Sequence, residues 1–110
     1  MGGFVRGEVV VLPFPFTDLS GRKRRPALVL EQLEGDDVIL CQITSKATSD
    51  KYAIALRLRD FESGGLKGDS NIRINRLFTA DSRIISYRAG TVTRSKLEEV
   101  LKGVRTLFGD

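Results

Sequence analysis

Four consecutive cations, Arg22-Lys23-Arg24-Arg25, run directly into Pro26 and then into the apolar stretch Ala27-Leu28-Val29-Leu30. A proline pushes the residue before it toward extended backbone and away from helix. Helix is therefore disfavoured at Arg25, and a basic loop is expected to end where a β-type run begins. A guanidinium held at such a join, on the edge of a scaffold, suits bidentate phosphate binding better than one on a free tail. The same residues also fit a solvated basic loop with no partner.

The rest of the chain repeats this pattern of short apolar runs broken by turn chemistry. Val9-Val10-Val11-Leu12 is β-branched and reads as a buried strand, with Pro13 and Pro15 ending its ladder or pushing it to a sheet edge. Thr17 to Gly21 is turn-rich, and the whole connection to Arg24 is long for a hairpin, as functional or disordered loops are. Ala27 to Gln32 and Val38 to Ile43, joined by Glu34-Gly35-Asp36-Asp37, read as a hairpin. A polar loop from Thr44 to Lys51 follows. Ala53 to Leu58 resumes strand character, with Ile54, Leu56 and Leu58 on one face. Asp60 to Gly68, with its three glycines, reads as a flexible connection. Ser70 to Ile74 alternates as a half-buried strand does, and Arg76 to Thr79 and Arg83 to Ser86 read as short strands or turns. Ser95 as N-cap with Glu98 at N3 fits a capping box. Leu97, Val100, Leu101, Val104, Leu107 and Phe108 then recur at helical spacing. The expected architecture is mainly β, a small barrel-like sheet of five to seven short strands closed by a C-terminal helix, in one domain spanning residues 1–110.

The chain contains no histidine and a single cysteine. No Ser-His-Asp triad, no two-histidine ribonuclease mechanism and no His-based or thiolate zinc cage can be built from these residues. Cys41, inside Val38-Ile39-Leu40-Cys41, reads as a small buried hydrophobe. No Gly-rich phosphate-loop or dinucleotide fingerprint occurs. Any catalysis has to use Arg, Lys, carboxylates and hydroxyls, and no cofactor is expected. No apolar run reaches the roughly 20 residues of a membrane span. Met1 to Glu8 lacks the pattern of a secretory signal, so a cytoplasmic protein is expected. The net charge of +4 suits nucleic acid or an acidic polypeptide, and 12 of the 18 cations are Arg, the better phosphate reader.

Arg6-Gly7-Glu8-Val9-Val10-Val11, a long polar loop, Arg25-Pro26-Ala27-Leu28-Val29-Leu30, Cys41-Gln42-Ile43-Thr44-Ser45 and Arg76-Leu77-Phe78-Thr79-Ala80-Asp81 together resemble the MazF/PemK (Kid-like) family of toxins over nearly the whole chain. The resemblance implies an SH3-like barrel with a helix, a homodimer, and a toxin acting as a metal-independent, sequence-specific endoribonuclease on single-stranded RNA. It implies products with 2′,3′-cyclic phosphate and 5′-hydroxyl ends, and a cognate antitoxin whose acidic tail occupies the RNA groove. By position, the family's catalytic Arg corresponds to Arg25 and its catalytic Thr or Ser to Thr44. Substrate-binding positions are then Phe16, Arg22, Lys23, Arg24, Ser45, Lys46, Arg76 and Asp81. A guanidinium is a permanent cation, so Glu8 or Asp81 is a candidate to orient Arg25 or act as base. Arg73 is a further candidate RNA contact, and Phe14 and Phe16 offer rings for base stacking or for packing. Arg83 and Arg88 read as ordinary surface charges. Many relatives carry Arg where this chain has Phe78, and the nearest cation here is Arg76. Two alternatives stand beside this reading: a gyrase poison of the CcdB type, which uses a C-terminal Trp that this chain lacks, and a nucleic-acid-binding barrel without chemistry.

Overall fold

A computed structural model describes residues 3–14, 23–46 and 49–109. Among the described residues seven strands form one antiparallel sheet curled into a half-barrel: β1 (Glu8–Pro13), β2 (Arg24–Gln32), β3 (Asp37–Thr44), β4 (Ala53–Leu56), β5 (Phe61–Gly64), β6 (Ser70–Asp81) and β7 (Tyr87–Val92). Their order across the sheet is β4-β6-β3-β2-β1-β7-β5, and the helix α1 (Arg94–Leu107) closes one side. The expected fold class holds. Among the described residues no helix is long and apolar enough to cross a membrane.

The central strands read as unbroken apolar runs because both of their faces are covered. Val9, Leu28, Cys41, Ile43, Ile72 and Ile74 point inward and meet Val100 of α1. Val10, Leu12, Phe14, Ala27, Val29 and Leu40 point the other way, under Phe4, Phe78 and Ile85. Phe14 packs edge-on against Phe78 with ring centroids 5.1 Å apart, and its 1% exposure removes it from base stacking. Lys96, nearly buried, fastens α1 to the sheet: its Nζ donates to the Ala55 carbonyl at 2.9 Å and to Glu99 Oε1 at 2.8 Å.

Several boundaries differ from expectation, each for a local reason. β1 lies inside the sheet, and Pro13 closes it as its last paired residue, opposite Arg24. Strand β2 begins at Arg24, since Arg24, Arg25 and Pro26 already pair with Pro13, Leu12 and Val11. β4 stops at Leu56, because Asp60 Oδ2 accepts the Arg57 amide at 2.7 Å and turns the chain into a 3₁₀ segment. That turn leaves Leu58 71% exposed. The glycine-rich stretch expected to be a flexible connection contains β5, paired with β7. The two short segments expected within 70–79 are one strand, β6, whose pairing with β3 shifts between Cys41 and Gln42. Ser82–Ile84 is a 3₁₀ turn. Thr93, not Ser95, caps α1, accepting the Lys96 amide at 3.1 Å. Phe108 follows the last helical residue and is exposed.

Cys41 is fully buried, and burial pushes its thiol up to about 12. In the folded protein it is expected to resist thiol-modifying reagents until the chain unfolds, which a timed modification with and without denaturant would read. The folded pKa lies above the unfolded one, so this group's contribution is complete below about pH 9 and is lost as pH rises toward 12. Cys41→Ala is expected to flatten that alkaline decline in a pH series of thermal melts. Rapid labelling of the folded protein would overturn the burial argument.

Candidate active site

Arg25 and Thr44 lie at the same end of neighbouring strands, each two residues beyond the last β2–β3 pair. That pair is Ala27 opposite Gln42, and Thr44 is the last residue of β3. Ala27 belongs to the outer face, so Arg25, two residues before it, shares that face. On its other side Arg25 pairs with Leu12. The Pro26 ring and the flanking strands thus hold a half-buried guanidinium on rigid backbone. Its Nε is buried and has no hydrogen-bond partner among the described residues. A desolvated donor left without an acceptor costs about 1–3 kcal/mol, a cost that an anionic ligand oxygen would remove.

Thr44 turns the chain out of the sheet: its Oγ1 accepts the Lys46 amide at 3.2 Å. Asn71, paired with Thr44 from β6, donates from Nδ2 to the Lys46 carbonyl at 3.3 Å. Arg73 pairs with Gln42 and so lies on the same face, two strands from Arg25. Its Nε is also buried without a partner among the described residues. Its terminal nitrogen is held by Asp50 Oδ2 at 2.9 Å, in a pair whose side chains are 24% and 18% exposed. Asn75 reaches the same oxygen at 3.5 Å, and Asp50 Oδ1 accepts the Tyr52 amide at 2.9 Å. These bonds, the Tyr52 amide first and then Arg73, hold the Asp50 carboxyl below the usual carboxylate range.

One sheet face therefore presents two guanidiniums with unused donors, a threonine hydroxyl and two amides, with one carboxylate engaged from the side. Such a locus can bind a phosphodiester and hold charge that develops on it.

The other expected residues fall in different places. Lys23, Ser45 and Lys46 are exposed beside the ends of β2 and β3. Arg24 alternates to the inner face with Pro26 and Val11. Arg76 is exposed in the part of β6 that leaves the β3 ladder. Asp81 does not join the cluster. It pairs with Asp37, at the far end of β3 from Thr44, and clasps Arg83 at 2.6 Å, which lowers its carboxyl to about 2. Glu8 also lies far off, at the opposite end of β1 from Leu12, and accepts Arg88 Nε at 2.8 Å. Neither carboxylate orients Arg25. Arg83 and Arg88 are thus ion-pair partners of these two acids. Phe16 and Arg22 lie outside the described residues. Asp50 was not singled out from the sequence, and nothing local marks it: its partner Arg73 is 23 residues away.

The family model of PemK-like, MazF-like toxins of type II toxin-antitoxin systems matches residues 5–108. MazF (Form-I) from Deinococcus radiodurans is similar in structure, with a TM-score of 0.77, 23% identity and all of both chains covered. MazE-MazF (Form-III) from Deinococcus radiodurans gives a TM-score of 0.74 at 25% identity over 94% of each chain. An endoribonuclease in complex with its cognate antitoxin from Mycobacterial species gives 0.72 at 19% identity, covering 99% of this chain and 96% of that one. No curated protein matches the sequence significantly. With a family model running from β1 through α1 and the same half-barrel in these relatives, the chain belongs to the PemK-like, MazF-like toxins of type II toxin-antitoxin systems.

Proposed function

We propose that the protein is a metal-independent endoribonuclease that cuts single-stranded RNA by internal transesterification, with Arg25 and Thr44 at the reacting phosphate. The observation that carries this reading is the buried Nε of Arg25, without a partner among the described residues, at the same strand end as Thr44. In the reaction a ribose 2′-oxygen forms a bond to the adjacent phosphorus as its proton leaves. The bond from phosphorus to the 5′-oxygen breaks, and that oxygen takes up a proton. The products are a 2′,3′-cyclic phosphate and a 5′-hydroxyl. Charge on the non-bridging oxygens peaks midway, and preorganised donors are most effective there. Arg25 supplies the fixed cationic donors and Thr44 a hydroxyl. Arg73 binds the strand from two strands away, and Lys23, Lys46 and Arg76 form an electrostatic rim.

Asp50 acts through Arg73. Asp50→Asn is expected to raise KM for RNA about 10- to 100-fold with a smaller change in kcat, because a guanidinium released from its anchor no longer meets the strand in register. An unchanged KM would remove Asp50 from the site. Its depressed pKa means the stability it contributes is present above about pH 4, the usual unfolded aspartate range, and is lost only as pH falls below it.

Relatives of the same fold occur with antitoxins, as in MazE-MazF from Deinococcus radiodurans. A net charge of +4 suits an acidic antitoxin segment laid over the same guanidiniums. The protein acts as a homodimer in the cytoplasm in this reading. The test is incubation with a long, weakly structured RNA in EDTA, beside Arg25→Ala. Discrete fragments with 5′-hydroxyl ends from the wild type alone support the reading. Intact RNA across several substrates overturns it.

A further inference from the structure

The outer face binds phosphate in the reading above, and among the described residues it presents no exposed aromatic ring for a base to stack on. Around the ends of the same two strands, on the inner face, the half-barrel opens into a cavity of about 320 Å³. Val11 and Pro26 form its floor, Tyr87 one wall, and Arg24, Lys67 and Ser45 its rim. Arg24 and Ser45 are the immediate neighbours of Arg25 and Thr44, so the cavity and the proposed phosphate site share one strand end.

The chemistry of this mouth is specific. Tyr87 is 56% exposed, a large ring presented to solvent beside an apolar floor. It is not on a loose loop. Its backbone pairs with Val11, and the preceding Ser86 amide donates to the Val11 carbonyl at 2.8 Å. The opposite rim is tied as well: Ser70 Oγ donates to the Gly68 carbonyl at 3.2 Å, and the Gly65 amide to the Ala89 carbonyl at 3.1 Å. Two cations, an accessible aromatic face and hydroxyls around an apolar floor are what an unstacked nucleotide needs: a ring to stack on and charges for its flanking phosphates. A cavity at the small end of ligand pockets fits one base.

We propose that this mouth is a nucleobase pocket in which Tyr87 stacks on a base neighbouring the reacting phosphate and Lys67 holds the adjoining phosphate. The inference rests on the RNA reading above and adds to it where the sequence preference comes from. Single-stranded binding by stacking tolerates many sequences, so discrimination comes from the hydroxyls and the floor that frame the ring.

The experiment is equilibrium binding of fluorescein-labelled single-stranded 2′-deoxy hexamers, one each of dA, dC and dT, which lack the attacking hydroxyl. Wild type, Tyr87→Ala, Tyr87→Phe and Lys67→Ala are compared across a salt series. Tyr87→Ala is expected to weaken binding about 5- to 100-fold and to flatten the order of preference among the three. Tyr87→Phe keeps the ring and is expected to retain most of the affinity. Lys67→Ala should weaken all three alike and reduce the salt slope by about 1. Tyr87 is exposed and its truncation leaves the core untouched, which a thermal melt checks. Wild-type binding that Tyr87→Ala reproduces in strength and order overturns this pocket alone. A wild type that binds no hexamer also overturns the pocket, while the RNA reading is decided by the cleavage assay above.

Discussion

Arg25→Ala is expected to lower RNA cleavage in EDTA by at least about 10²–10³-fold, the loss typical when one preorganised donor is withdrawn from a developing oxyanion. The fold should survive. Truncation leaves the sheet backbone unchanged, and the Arg25 Nε has no partner among the described residues to strand. A buried donor without an acceptor is a cost to the free protein, so the truncated variant should melt no lower than the wild type, and slightly higher if the cost is fully relieved. This opposite movement of activity and stability separates a functional arginine from a structural one. Arg25→Lys should recover little, because a point-charge ammonium cannot reproduce the planar fork. Cleavage at the wild-type rate would remove Arg25 from the mechanism. A large drop in melting temperature would show that the guanidinium has a structural partner after all.

Gly64→Ala is expected to cost about 2–4 kcal/mol, a fall of about 10 °C or more in Tm for a chain of this size. Gly64 has φ +69°, and a Cβ there would collide with the Ala89 carbonyl and the Gly90 Cα. Across the pair, a Cβ on Gly90 would lie 2.5 Å from the Ser63 carbonyl oxygen. Edge strand β5 can approach β7 only because both residues lack a side chain. Gly35 provides the contrast. Its φ is +79°, but nothing lies within 4 Å of an added Cβ, so Gly35→Ala should cost only the backbone strain, about 1 kcal/mol. Hydrogen exchange should show β5 amides opening first in Gly64→Ala. Since β5 leads into the segment bearing Lys67, base preference should loosen in the same variant. Equal costs at positions 64 and 35 would contradict the close-approach argument.

The elements that were legible in advance were those marked by their own neighbours. Val9 to Leu12, Ala27 to Gln32 and Val38 to Ile43 are apolar runs with punctuation at each end, and the last turns of chain repeat at helical spacing. Arg25 was legible as a fixed cation because Pro26 follows it, and Thr44 through its place at the end of a strand and through family likeness. Where non-local contact overrode the local signal, the reading failed. Glycines that read as flexibility in 64–68 include one that admits a strand at close range. Ser95 and Glu98 match a capping box, yet the chain enters the helix two residues earlier, at Thr93. Leu58 continues an alternation that Asp60 breaks by capturing the Arg57 amide.

The same division runs through the site. Residue types alone limited any catalysis to Arg, Lys, carboxylates and hydroxyls, since the chain has no histidine. Backbone preference at Pro26 dictated that Arg25 sits on extended chain. Which groups face Arg25 was a matter of register, and register is set by pairing between strands far apart in sequence. It put Thr44 at the same strand end as Arg25, added Arg73 with Asp50 behind it, and carried Asp81 and Glu8 away to ion pairs with Arg83 and Arg88. Local preference reaches only a few residues along the chain, whereas the side of a sheet on which a group emerges is decided by the burial of every strand beside it.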